Sequence, residues 1–101
     1  MSTFRHVLMI RFSEEATENQ IEELYRGLGR LPEVIEEIQR YEFGPDLGLG
    51  ESNPDMALIA DFDSEDDWRT YQDHPEHRVV AQDLVKPIAQ ELIRVQYLVQ
   101  G

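Results

Sequence analysis

Three residues of this chain combine a reactive side chain with a position suited to moving a proton: His77, Tyr71 and His6. His77 precedes Val80, Ala81 and Leu84 by three, four and seven residues, the spacing that sets it on the core-facing stripe of a helix. An inward imidazole titrates near neutral pH and can take a proton from the carbon beside a carbonyl. A phenol such as Tyr71 can then hold the resulting enolate oxygen by a hydrogen bond. His6 lies on a short β-branched and aromatic run whose alternation turns it to the helix side, where it can orient either group. The same positions also suit a structural role, with His77 a core histidine bonded to a backbone carbonyl and Tyr71 a packed amphipathic ring.

Other polar groups fit less demanding roles. His74, placed before Pro75, suits a helix cap, and Trp68 suits packing. Asp73, His74, Glu76 and His77 are metal-ligand types, but they crowd a helix-breaking turn and lack the i, i+4 histidine pair of the helical zinc motif. His77 or His6 could ligate a haem iron, yet nothing else in the sequence asks for one. No metal and no cofactor are expected.

The elements that must carry these residues can be read in order. Residues 4–12 form a first strand. Thr17 and Gln20 make a capping box ahead of a helix bearing Ile21, Leu24, Tyr25, Leu28 and Leu31, predicted to end near Gly29. A second, polar strand is predicted over Glu37 to Phe43. The stretch Gly44 to Pro54, with three glycines and two prolines, reads as a long, mobile connection able to cover a pocket. Its Gly48-Leu49-Gly50 lacks the third glycine of a dinucleotide fingerprint. Met56 to Phe62 is a third strand. Ser64 caps a helix holding Trp68 and Tyr71, and Pro75 starts a further helix ending near Pro87. Leu92 to Val99 closes the chain as a fourth strand.

The order βαββαβ, with a broken second helix, most simply gives a ferredoxin-like α+β fold: a four-stranded antiparallel sheet with its helices on one face. His6, Leu8, Ile10 and Phe12 then face the helices, together with Met56, Leu58, Ala60 and Phe62. The bare face keeps Val7, Met9, Ile59 and Leu98, more apolar surface than a monomer usually exposes, which argues for a homodimer through the sheet faces. Between sheet and helices the topology should bring His6, Tyr71 and His77 to one small pocket, with Leu8, Met56, Phe62 and Leu84 lining the rest.

Arg5-His6-Val7-Leu8-Met9-Ile10-Arg11-Phe12, the segment Tyr71-Gln72-Asp73-His74-Pro75-Glu76-His77 and the last strand together resemble the stress-responsive dimeric α/β-barrel (Dabb) family over nearly the whole chain. The resemblance implies a ferredoxin-like protomer and a barrel made from two sheets. Plant polyketide (olivetolic acid) cyclases of this family close a linear polyketide by aldol chemistry without a cofactor. Their functional tyrosine and histidine fall on Tyr71 and His77, and their strand-one histidine on His6. Met56 stands where they carry a further histidine.

Composition narrows the field. A chain of 101 residues forms one domain, taken as 1–101. Its formal charge of −12 repels phosphate backbones and anionic headgroups, so neither nucleic acid nor membrane is an expected partner. The acidic run Glu14, Glu15, Glu18, Glu22 and Glu23 is a solvated helix face. With no cysteine and no long apolar run, a cytoplasmic protein is expected. Two functions fit: a cofactor-independent cyclase or isomerase of a small apolar carbonyl compound, or a non-catalytic small-ligand-binding or stress-associated dimer.

Overall fold

The computed structural model describes residues 2–100. Four strands, β1 (Ser2–Phe12), β2 (Arg40–Pro45), β3 (Met56–Phe62) and β4 (Ala89–Gln100), form one antiparallel sheet in the order β2-β3-β1-β4. The helical layer comprises α1 (Glu18–Val34), α2 (Glu65–Asp73), α3 (Pro75–Val79) and α4 (Val80–Val85), a π-helical turn that continues α3. This is the ferredoxin-like α+β fold. Its core is the seam between sheet and helices, where Ile10, Leu24, Leu31, Ile35, Leu58, Phe62 and Ile88 are almost fully buried.

The expected capping box is present: the Gln20 backbone N–H donates to Thr17 Oγ1 and the Thr17 backbone N–H to Gln20 Oε1. The helix does not stop at Gly29, however; it runs through Pro32 to Val34. A proline one turn from the end deprives the helix of a single late hydrogen bond, and burial of Leu31 and Ile35 holds that turn in place. A tight turn follows, so β2 begins at Arg40 and not at Glu37, with the Gln39 N–H donating to the Asp61 carbonyl at 2.8 Å.

The register fixes both faces of the sheet. On the helix side His6 lies opposite Ala60 and Gln96, and Leu8 opposite Leu58 and Arg94. On the outer side Val7 lies between Ile59 and Val95, Met9 between Ala57 and Ile93, and Arg5 between Asp61 and Tyr97. Leu98 is opposite Phe4 and so belongs to the helix side, correcting its assignment to the bare face. In its place Ile93, Val95, Tyr97 and Val99 extend the outer apolar surface. One edge of that surface is closed by Arg5, whose guanidinium grips Asp61 through two bonds of 2.8 and 2.9 Å.

The segment between β2 and β3 is held at the far end of β1. The Arg11 guanidinium donates to the carbonyls of Ser52 and Asn53, and the Asp55 N–H donates to the Ile10 carbonyl. This anchoring keeps it away from His6, so it is not the cover for the pocket that its composition suggested.

Candidate functional site

His6 sits near the middle of β1, 3% exposed, with its ring flanked by Trp68 and Tyr71. Gln96, directly opposite on β4, brings its amide nitrogen to 2.9 Å from His6 Nδ1. An amide nitrogen only donates, so Nδ1 accepts and the proton of the neutral ring is on Nε2. Burial pushes the His6 pKa down to about 4, with Arg94 and His77 adding to the effect, and the ring is neutral at pH 7.

His77 is placed by the break between α2 and α3. Pro75 occupies the first turn of α3, and the His74 side chain caps it by accepting from the Glu76 N–H at 3.1 Å. In an unbroken helix that N–H would reach back to Gln72. Instead the Gln72 carbonyl meets His77 Nδ1 at 3.2 Å. A carbonyl only accepts, so Nδ1 carries the proton and Nε2 has a free lone pair. Burial lowers the His77 pKa; the Gln72 bond opposes this, and Arg94 and His74 lower it further. The backbone bond expected of a structural histidine is therefore also what prepares the other ring nitrogen to act as a base.

Tyr71 lies between the two imidazoles, its ring 4.3 Å from that of His77 and 6.3 Å from that of His6, centroid to centroid. It is 2% exposed, and burial pushes its pKa up to about 12 against a lowering by Tyr41, so the phenol keeps its proton. Its hydroxyl is 2.9 Å from that of Tyr41, whose own pKa is raised by burial. Two hydroxyls share one proton in such a contact and leave one to spare. When Tyr41 donates, the Tyr71 proton is available to an oxygen in the cleft.

His6, Tyr71 and His77 all line one cleft of about 80 Å³, together with Leu8, Leu28, Gln72, Val80, Ala81, Val85, Leu92 and Arg94. Ala81, Val85 and Leu92 also line an adjoining groove of about 350 Å³ between α4 and the start of β4. Of the four apolar residues expected beside the three polar ones, Leu8 is in the cleft and the others are elsewhere. Phe62 is fully buried behind Tyr71, 5.2 Å from its ring. Leu84 points to Gly27 of α1, because the π turn rotates it away from the sheet. Met56 is at the far end of β3, beside a separate hollow of about 400 Å³ beneath the 44–55 segment.

Sequence reasoning missed Tyr41, Gln96 and Arg94. The alternation Arg40, Tyr41, Glu42, Phe43 carries the signal for the first. The other two required the register of β4, which pairs with β1 alone. Among the described residues no three His, Asp or Glu side chains are arranged to hold a metal ion, and no helix is long and apolar enough to cross a membrane.

Fold and cleft together define a ferredoxin-like protomer with an inward-facing histidine–tyrosine pocket. Residues 4–99 match the stress responsive A/B barrel domain, and the chain belongs to that family. It is similar to a dimeric ferredoxin-like protein of unknown function from Thermobifida fusca, at 38% identity and a TM-score of 0.89, covering 97% of this chain and 92% of the other. The hydroxynitrile lyase of Passiflora edulis shares the fold at a TM-score of 0.87 and 20% identity, covering 97% and 94%. The stress-response A/B barrel domain-containing protein HS1 of Arabidopsis thaliana is 28% identical over 75 residues, 72% of this chain and 69% of that protein.

Proposed function

We propose that this protein is a homodimeric, cofactor-independent catalyst of proton transfer beside a carbonyl, acting as a cyclase or isomerase on a small carbonyl or polyketide-like compound. The observation that carries the reading is that both histidines line one cleft with Tyr71 while their Nδ1 atoms are engaged, by the Gln72 carbonyl for His77 and the Gln96 amide for His6, which assigns a free Nε2 lone pair to His77 and an Nε2–H to His6. His77 takes a proton from the carbon next to the carbonyl, and the electron pair moves onto the carbonyl oxygen. That oxygen accepts hydrogen bonds from the Tyr71 hydroxyl and the His6 Nε2–H. The enolate carbon then attacks a second carbonyl of the same molecule, or is reprotonated elsewhere, and His77 returns the proton. Leu8, Leu28 and Val80 exclude water, which strengthens each of these interactions.

The dimer is supported by the apolar outer face and by the dimeric description of the Thermobifida relative. A cysteine-free chain suits a cytoplasmic setting. The Passiflora protein, a hydroxynitrile lyase, is one enzyme built on this fold. One observation favours the alternative, a dimer that binds a small ligand without turning it over: the inner cleft of about 80 Å³ admits only a few atoms. Turnover of short linear β-polyketones, followed by absorbance, separates the two. The catalytic reading predicts consumption by the wild type and a loss of about 100-fold in His77→Ala. Binding without consumption supports the alternative.

A further inference from the structure

Arg94 is the feature of the cleft that proton transfer leaves unexplained. Of the eight arginines, six form ion pairs with carboxylates: Arg5, Arg11, Arg26, Arg40, Arg69 and Arg78. Among the described residues Arg30 and Arg94 form no such pair, although the chain carries 21 acidic residues, and of these two only Arg94 lines the cleft. It occupies the helix-facing side of β4 directly opposite Leu8, two residues from the Gln96 that orients His6 and two from Leu92. All of Arg94, Leu8, Leu92, His6 and His77 line the cleft. In a protein with a charge of −12, this exposed guanidinium, unpaired among the described residues and lining the cleft with two neutral imidazoles, is placed to receive a carboxylate.

We propose that Arg94 anchors the carboxylate of a short oxo acid, whose carbonyl then lies toward Tyr71 and His77. This rests on the reading of the cleft as a ligand site and names the class of ligand. Alternate residues on one face of a strand stand about 7 Å apart, a gap that a three- or four-carbon oxo acid bridges between Arg94 and the groups around His6. The planar guanidinium fork offers two parallel donors to a carboxylate, whereas a neutral ketone uses at most one. The small volume of the inner cleft excludes long chains, and the adjoining groove leaves room for a substituent. Occupation by an anion also cancels the field with which Arg94 suppresses protonation of both histidines, so a bound carboxylate makes His77 a stronger base.

Acetoacetate and 2,4-pentanedione have the same number of heavy atoms and differ in replacing a carboxylate by a methyl ketone. Each is titrated into the full-length protein while the imidazole signals of His6 and His77 are followed by NMR. The proposal predicts that acetoacetate binds at least ~10-fold more tightly than the diketone. Arg94→Gln should abolish that preference, with Arg94→Lys recovering part of it. Equal affinity for the two probes in the wild type, or an unaltered preference in Arg94→Gln, overturns the carboxylate anchor. Diketone binding without acetoacetate binding overturns it too and leaves the carbonyl site standing. Failure of both probes to move either histidine signal overturns the anchor and the ligand site together.

Discussion

His6 and His77 show how a single hydrogen-bond partner decides chemistry one atom at a time. Each ring has one nitrogen committed by a fixed partner, Gln96 for His6 and the Gln72 carbonyl for His77, and the partner's chemistry sets which nitrogen carries the proton. Burial keeps both neutral, and this has a consequence for stability. Folded His6 has a pKa of about 4 against about 6.5 in an unfolded chain, so between those values the unfolded chain binds more protons. The stability due to a neutral buried His6 is complete above about pH 6.5 and is lost as the pH falls toward 4. The loss should reach about 3 kcal/mol. Relief of acidic self-repulsion runs the other way in a chain this acidic, so the comparison is made within a variant pair. Urea unfolding at pH 7 and pH 4.5 should show a smaller loss of stability in His6→Gln than in the wild type; equal losses would contradict a neutral, buried His6.

At the scale of elements, close approach of α1 and α4 turns on one small residue. A Cβ placed on Gly27 would collide with Leu84 Cδ1 and press on Val80 Cγ2 at 3.4 Å, whereas one on Gly29 would meet only Phe43 Cζ at 3.9 Å. Gly27→Val should therefore destabilise the fold by ~1–3 kcal/mol through overpacking, despite the better helix propensity of valine. Gly29→Ala should stabilise it by about 1 kcal/mol. Thermal unfolding of both variants checks the pair, and a stable Gly27→Val would show that Leu84 moves freely. The elements themselves were largely legible in the sequence, because the capping box at Thr17, the apolar period along α1 and the caps at Ser64 and His74 are local signals; the Gly-Pro pair expected to stop β2 after Phe43 instead continues it, Gly44 and Pro45 pairing with Ala57 and Met56. What escaped was non-local or off-period. The π turn, closed by the Lys86 N–H to the Ala81 carbonyl at 3.0 Å, has no sequence mark. It turns Leu84 away from the cleft, which is why helical spacing placed His77 correctly and Leu84 wrongly.

For the whole molecule, the unresolved balance is between an apolar outer sheet face and solvent. Tyr97, Val95 and Ile93 on β4 are 47%, 49% and 40% exposed, and with Val7, Met9 and Ile59 they form rows across the sheet. Alternation along β1 and β3 announced half of this surface. The β4 half depended on the pairing of Gln96 with His6, a register no local pattern encodes. The same missing register hid Gln96 and Arg94 from the candidate site, while His6, Tyr71 and His77 could be brought together from topology alone. A second copy covering these rows would bury Ile59 beside Val7, so Ile59→Glu should yield monomer or aggregate by burying an unpaired charge. Sedimentation at micromolar concentration decides it: a monomeric wild type, or a variant that still dimerises, would remove the sheet-to-sheet interface.

Removal by His77 of a proton from carbon beside a carbonyl can be tested without knowledge of the natural substrate. Exchange of the α-protons of a small β-keto compound for solvent deuterium requires only removal and return of that proton, and NMR follows it atom by atom. Wild-type protein should drive exchange well above the buffer rate, reduced by about 100-fold or more in a folded His77→Ala variant. Exchange at the buffer rate, or exchange that survives His77→Ala unchanged, would contradict it.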